Sequence, residues 1–119
     1  MEIKVLEDEF SVLKYEKMPE NITDIHFTAV TNDEISVLCK TKFKPENFID
    51  SEDGFMGFMI NENLDFSLIG IISRITSILA DNDISVFTVS TFNTDYFFVK
   101  KENFALSCQL LLSSGYDIL

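Results

Sequence analysis

Hydrophobic residues recur at helical spacing along the segment that ends at Ala80. The apolar positions fall at i, i+4, i+7 and i+11, and they form one stripe along a helix: Leu68, Ile72, Ile75 and Leu79. Either Asp65 or Ser67 is suited to cap the start of this helix, and the polar run Asp81–Asp83 ends it. The pattern predicts an amphipathic helix over Leu68–Ala80.

Short β-like runs surround this helix, and a second helix follows them. Strands are predicted at Phe55–Ile60, Ile84–Ser90, Tyr96–Lys100 and Tyr116–Leu119. The second helix is predicted over Asn103–Ser114, stopped by Gly115, with these residues facing inward: Phe104, Leu106, Leu110 and Leu111. The resulting order, β-α-β-β-α-β, is the split-βαβ or ferredoxin-like arrangement.

The first half of the chain contains β-like runs but no comparable helical pattern. A strand is predicted at Phe10–Tyr15, a hairpin at Phe27–Thr31 and Ile35–Cys39, and a linker at Asp50–Asp53. An ungapped internal repeat places Thr28–Lys40 over Val89–Lys101, with Lys40 on Lys101. We therefore predict an α+β protein of two ferredoxin-like halves with antiparallel sheets and helices on one face. Residues 1–53 form the helix-poor half, and residues 54–119 form the complete one.

The net charge narrows the classes of partner. The chain has 119 residues, 46% of them hydrophobic, and its 20 acidic residues against 9 basic ones give a formal charge of −11. This charge repels phosphate backbones and anionic lipids, so neither nucleic acid nor a membrane surface is expected as a partner. The first ten residues lack the uninterrupted apolar segment of a signal peptide, and we expect a cytoplasmic protein.

The residue types needed for catalysis or metal binding do not form a recognisable motif. Cys39 and Cys108 are far apart within apolar runs, and His26 has no suitably spaced companion ligand. The chain also lacks a P-loop, a dinucleotide-binding glycine motif and a nucleophile elbow. We expect no metal, no cofactor and no enzymatic activity.

Three motifs resemble those of a known family. They are LDFSLIGI at Leu64–Ile71, ISVF at Ile84–Phe87, and STFNTDYFFV at Ser90–Val99. Together they resemble the ACT-domain proteins, in the small stand-alone branch related to the cytosolic arginine sensors. One departure is Ile69, where that branch usually has Thr. The resemblance implies tandem ACT-like halves, a regulatory role and an amino-acid ligand.

The resemblance also implies a ligand site where the first strand of the complete half gives way to its first helix. The implied loop residues are Asp65, Phe66, Ser67, Leu68, Ile69, Gly70 and Ile71. A helix N-terminus presents unpaired N–H groups that suit a carboxylate, and Gly70 lets a ligand approach the main chain. Tight packing of helix on sheet would equally explain this glycine.

The hairpin of the same half supplies the second group of candidate ligand residues. Asp95 could accept a charge-assisted hydrogen bond from an amino or guanidinium group. Thr91, Asn93 and Thr94 lie beside it in sequence, and ordinary turn chemistry would explain all four residues as well.

Two functional hypotheses follow. The first is a stand-alone, homodimeric regulatory module that binds an amino acid or related metabolite. Binding would shift the population towards a state that a regulated protein recognises. The alternative is a protein-interaction or scaffold module on the same fold without a small ligand.

Overall fold

The computed structural model describes residues 1–62 and 68–119. The chain divides into two compact units: unit 1 comprises Met1–Glu7 with Met56–Leu119, and unit 2 comprises Asp8–Phe55. The strands are β1 Glu2–Val5, β2 Phe10–Tyr15, β3 His26–Val30, β4 Ile35–Lys40, β5 Asp50–Ile60, β6 Val86–Ser90, β7 Asp95–Lys100 and β8 Asp117–Ile118; the helices are α1 Ile71–Ala80 and α2 Phe104–Ser113. A division of the protein into two ACT-like halves near residue 53 stays a prediction.

Unit 1 confirms the predicted ferredoxin-like order, running from β5 through α1, β6, β7 and α2 to β8. Its strands lie in the order β6-β7-β5-β1-β8. The additional strand β1 was not predicted; it pairs antiparallel with β5, with Ile3 opposite Ile60, and parallel with β8, with Ile3 opposite Ile118. The N-terminal residues thus complete a sheet that is otherwise built from the second half of the chain.

The core of unit 1 lies between its sheet and its two helices. It consists of side chains that are almost fully buried: Ile3, Phe58, Ile60, Ile75, Leu79, Ile84, Phe97, Val99 and Leu111. Phe58 and Phe97 stack across the β5–β7 pair with their ring centroids 5.1 Å apart. Burying each side chain of this size stabilises the fold by about 1.5–3 kcal/mol relative to an exposed position. Residues of both helices belong to this one cluster, so the helices cover a single face of the sheet.

Helix α1 begins three residues later than its apolar stripe predicted. Its N-cap is Gly70 in the left-handed conformation, with φ of 84°, and Ile71 is the first helical residue. Leu68 therefore lies outside the helix and is 51% exposed, and Ile69 is 87% exposed. The predicted side-chain caps, Asp65 and Ser67, fall outside the described residues.

Helix α2 matches its predicted bounds to within one residue, but Leu106 does not face inward. Leu106 is 45% exposed, whereas Ser107 is fully buried. The inward positions are the partly buried Phe104 and the fully buried Ser107 and Leu111, and a residue two places from Phe104 lies on the opposite side of the helix. Ser107 is tolerated in the core because its hydroxyl donates a 2.8 Å hydrogen bond to the Asn103 carbonyl.

Unit 2 is helix-poor, as predicted. Residues 8–55, all of which the structure describes, contain no α-helix and only one 3₁₀ turn, at Thr41–Phe43. Its antiparallel strands lie in the order β3-β4-β2-β5. The predicted linker at Asp50–Asp53 is wrong, because these residues form the start of the eleven-residue strand β5 and pair with β2. Their polar side chains give no β-like hydrophobic pattern, so the strand could not be predicted from the sequence. It forms through main-chain hydrogen bonds to β2.

The internal repeat is present in the structure, one residue away from the predicted alignment. The β3–β4 and β6–β7 hairpins correspond at an offset of 60 residues, which places Lys40 on Lys100 and not on Lys101. A 3₁₀ turn follows each hairpin at the same offset. In both turns a threonine, Thr31 or Thr91, accepts a hydrogen bond at its hydroxyl from the N–H three residues later. This shared turn fixes the correct alignment.

Candidate functional site

The start of α1 forms one wall of the candidate site. Gly70 makes no side-chain cap, and the first main-chain hydrogen bond of the helix runs from the Arg74 N–H to the Gly70 carbonyl at 3.0 Å. The N–H groups of the first helical turn have no acceptor within the helix, and they carry the positive end of its dipole. The guanidinium of Arg74 lies beside them, with Nε 3.9 Å from where a Cβ on residue 70 would stand. This wall is positive and suits an anionic group.

Gly70 is required for its backbone conformation. A Cβ at this position would meet Arg74 only at ordinary contact distance, so close packing of helix on sheet does not explain the residue. Its positive φ, in contrast, costs a residue with a side chain roughly 1–2 kcal/mol.

The turn of the β6–β7 hairpin forms the opposite wall. Within it, the Thr91 N–H and hydroxyl both donate to the Thr94 carbonyl, at 2.8 and 3.1 Å. The buried Thr94 hydroxyl donates a 2.8 Å hydrogen bond to the Ile60 carbonyl of β5. These bonds hold the turn in a defined place against the sheet, because both threonine hydroxyls are engaged by main-chain acceptors.

Asp95 provides the negative group of this wall. It is half-buried at the first position of β7, and its Oδ1 accepts a 2.7 Å hydrogen bond from the Ser90 hydroxyl. Ser90 is also its direct pairing partner across the hairpin. The carboxylate is therefore held in one orientation by a neighbour on rigid structure.

A cleft of about 280 Å³ lies between the helix start and the hairpin turn. The residues lining it are Leu68, Gly70, Ile71, Ile72, Ser73, Ser90, Thr91, Phe92, Asn93, Thr94 and Asp95. The structure thus brings together seven of the predicted site residues, from both predicted segments: Leu68, Gly70, Ile71, Thr91, Asn93, Thr94 and Asp95. That these residues bind a ligand stays a prediction.

Four other predicted site residues are not among the described residues that line the cleft. Ile69 does not line it, and Asp65, Phe66 and Ser67 lie outside the described residues. Sequence reasoning missed four lining residues: Ile72, Ser73, Ser90 and Phe92. Ile72 and Ser73 could have been found because they directly follow Ile71 in the predicted helix. Ser90 could have been found because it is the last residue of the predicted strand before the turn and pairs with Asp95.

Unit 2 contains a larger hollow, of about 780 Å³, around Pro19 and Pro45. Three lysines and three glutamates line it, so their formal charges cancel. Two of these lysines already pair with carboxylates: Lys42 with Asp8 at 2.9 Å and Lys44 with Asp53 at 3.1 Å. This hollow therefore lacks the separated positive and negative walls of the unit 1 cleft.

Hydrogen bonds lower the pKa of the Asp53 carboxyl group in unit 2 to about 2. The largest cause is the hydroxyl of Ser11, followed by Ser51 and the ammonium of Lys44. All three donate to Oδ1 of Asp53, which stabilises its charged form. This carboxylate acts as a structural anchor between β5, β2 and the turn after β4.

Two further observations bear on the class of protein. Over residues 1–62 and 68–119, no group of three or more His, Cys, Asp and Glu side chains is placed to hold a metal ion. No helix in these ranges has the length and apolar character needed to cross a membrane.

Comparison with known proteins identifies the family. The model of a family described as the ACT domain matches residues 50–113. The chain belongs to the ACT-domain family. ACT domains are regulatory and not catalytic, so the chain is a regulatory ACT module. The matched region contains α1, the β6–β7 hairpin and the whole described lining of the cleft.

Solved structures show the same fold at low sequence identity. Protein Atu0741 of Agrobacterium tumefaciens is 24% identical, with a TM-score of 0.88, over 99% of this chain and 91% of that one. A Vibrio cholerae protein of unknown function, described as a possible transport protein, is 13% identical with a TM-score of 0.71, over 94% and 88%. Among curated protein sequences, none matches this chain.

An aspartate kinase from Clostridium acetobutylicum, described as an allosteric enzyme, is also similar. It is 9% identical with a TM-score of 0.63, and the match covers 85% of this chain but 32% of the kinase. The ACT fold described here therefore corresponds to one part of that larger enzyme.

Proposed function

We propose that this ACT module binds a free amino acid in the cleft between α1 and the β6–β7 turn. The ligand's carboxylate lies at the N–H groups of Gly70, Ile71 and Ile72, and its ammonium group donates to Asp95. The observation that supports this proposal is the pairing of a positive helix start with a fixed carboxylate on opposite walls of one cleft. These two walls match the two charges of an amino-acid backbone.

The size of the cleft supports a ligand of this class. Pockets for drug-sized molecules usually occupy about 300–1,000 Å³, and this one lies just below that range. It accommodates a single amino acid, whereas a dinucleotide or a folded peptide segment exceeds it.

We further propose that binding regulates a partner by population shift. The ligand bridges the start of α1 and the turn after β6, two elements that are not adjacent in sequence. A ligand that binds one arrangement of these elements more tightly stabilises that arrangement, and a regulated protein can then recognise it. The assembly we propose is a homodimer, a state that ACT domains often adopt, and light scattering tests it. The expectation of a cytoplasmic location stays a prediction.

A thermal-shift screen with the twenty common amino acids tests the proposal. A ligand at 100 times its Kd adds about 2.7 kcal/mol to the free energy of unfolding, which is readily measured in a domain of this size. If every amino acid leaves the melting temperature unchanged at millimolar concentration, the amino-acid proposal is wrong and the scaffold hypothesis replaces it.

Calorimetry on two matched variants then tests the site. Asp95→Asn removes the negative wall, and we expect affinity to fall about 10- to 150-fold, the equivalent of roughly 1.5–3 kcal/mol for a charged hydrogen bond. Glu34→Gln is the control, because Glu34 also accepts a serine hydroxyl at 2.7 Å beside a hairpin turn but does not line the cleft. Equal affinities for both folded variants and the wild type would place the ligand elsewhere.

A further inference from the structure

We propose that the cleft selects an amino acid with an uncharged, apolar side chain, an inference that rests on the proposed function. Asp95 is the sole charged side chain among the described residues that line the cleft. Once it accepts the ligand's ammonium group, these lining residues offer no second carboxylate for a lysine or arginine side chain. Arg74 stands beside the N–H groups that take the ligand's α-carboxylate, so it serves that group and offers no separate cation for an aspartate or glutamate side chain.

The polar side chains of the cleft are mostly engaged within the protein. The Ser90 hydroxyl donates to Asp95, the Thr91 hydroxyl to the Thr94 carbonyl, and the Thr94 hydroxyl to the Ile60 carbonyl. A donor that is already used internally gains little by turning to a ligand, because the exchange leaves its first acceptor unsatisfied. Three of the five hydroxyl- or amide-bearing lining residues therefore favour no polar ligand side chain.

Four of the described lining residues carry large apolar side chains. Ile71 and Ile72 are half-buried at the start of α1, and Leu68 and Phe92 stand at the mouth with exposed fractions of 51% and 80%. Covering apolar surface of this kind stabilises a complex in proportion to the area removed from water. A leucine, isoleucine, methionine or phenylalanine side chain gains this contribution, whereas a charged one loses solvation without a partner.

The formal charge of −11 favours the competing class, cationic amino acids, at long range. A field of this kind raises the rate of encounter more than it decides which ligand stays bound. The local composition of the cleft therefore decides its selectivity.

Isothermal titration of the full chain with leucine, phenylalanine, arginine, lysine and glutamate tests the inference. We expect leucine or phenylalanine to bind at least tenfold more tightly than the three charged amino acids. Tightest binding of arginine, lysine or glutamate, or equal binding of both classes, overturns the apolar selectivity and leaves the proposed function standing. If none of the five binds, the apolar selectivity is overturned, and if the thermal-shift screen also finds no ligand among the twenty common amino acids, the proposed function is overturned with it.

A pair of variants locates the selectivity in the cleft. Phe92→Asp places a carboxylate at the mouth, and we expect leucine to bind about tenfold more weakly and arginine at least threefold more tightly. Asn32→Asp is the control, because Asn32 occupies the equivalent turn position of the β3–β4 hairpin, 60 residues earlier, and does not line the cleft. We expect it to bind as wild type. If Phe92→Asp changes neither the leucine nor the arginine affinity, the proposed contact between Phe92 and the ligand's side chain is wrong. The same conclusion follows if Asn32→Asp changes the two affinities as much as Phe92→Asp does.

Discussion

The Ser90 hydroxyl donates a hydrogen bond to the carboxylate of Asp95 across the end of the β6–β7 hairpin, where the two residues are direct partners in the strand register. The carboxylate that we assign to the ligand's ammonium group is thus oriented by a side chain on the opposite strand.

Removing this serine hydroxyl tests the orienting role. In Ser90→Ala, Asp95 keeps its charge but loses the bond that fixes it, and we expect affinity for the identified amino acid to fall about three- to tenfold, the equivalent of one ordinary hydrogen bond. Titration calorimetry measures the change, and Ser90→Thr should restore most of it because it keeps the hydroxyl. A Ser90→Ala variant that binds as tightly as wild type would show that Asp95 needs no such support.

Substitution of Gly70 should destabilise the fold through its backbone. Gly70→Ala must adopt a positive φ, and we expect a loss of about 1–2 kcal/mol in the free energy of unfolding by urea denaturation. Gly70→Asn should lose less, because asparagine tolerates this conformation better. Equal losses for the two variants would indicate a cause other than the backbone.

Gly57 is constrained by space. A Cβ there would lie 2.6 Å from the ring of Phe98 and 3.0 Å from Leu6, and Phe98 is fully buried and stacked on Phe87. We expect Gly57→Ala to cost about 1–3 kcal/mol by overpacking. The double variant Gly57→Ala/Phe98→Leu should lose less than the sum of the two single variants in urea denaturation. Strict additivity would mean that the two side chains do not compete for this space.

Asp83 offers a stabilising substitution. It follows α1 with φ of 59°, and its N–H and that of Ile84 donate to the carbonyls of Ala80 and Leu79 in the manner of a Schellman motif. We expect Asp83→Gly to raise the free energy of unfolding by up to about 1 kcal/mol. Asp81→Gly is the control. Asp81 has a φ of −62°, which suits a residue with a side chain, so glycine at this position should lower the free energy of unfolding. The opposite ranking in thermal melts would contradict this explanation.

The stability of unit 2 should depend on acid through Asp53. Its pKa is lowered to about 2 in the folded protein, below its ordinary value of 3.8. A lowered folded pKa contributes stability above the unfolded value, and that contribution is lost as the pH falls from about 4 towards 2. Melting temperatures of Asp53→Asn should therefore be lower than wild type at pH 7, with the difference shrinking towards pH 2. A constant difference across this range would exclude titration of Asp53.

The elements that bury apolar side chains at regular spacing were predictable from the sequence. The β6–β7 hairpin and the body of α1 are examples, and Gly115 stops α2 as expected: its N–H and that of Tyr116 donate to the carbonyls of Leu112 and Leu111. The family resemblance and the predicted helix start also predicted residues on both walls of the cleft.

The wrong or missing predictions fall where the hydrophobic pattern of the sequence does not match the burial of the residues in the structure. Strand β1 has a single fully buried residue, Ile3, between the charged residues Glu2 and Lys4, so its alternation was too short to identify. Leu68 extended the apolar stripe of α1 in sequence, but in the structure it lines the mouth of the cleft. Apolar residues that line an open cleft are indistinguishable from core residues by spacing alone.

Strand β1 also constrains the order in which the protein can fold during synthesis. It is synthesised before both of its neighbours in the sheet, β5 and β8, and β8 follows it by more than a hundred residues. Unit 2, in contrast, is one uninterrupted segment, Asp8–Phe55, so all of its strand partners lie within 48 consecutive residues. The nascent chain must therefore keep one side of β1 unpaired until β8 has been synthesised, and a fused domain that restrains Glu2–Val5 would delay this last pairing step.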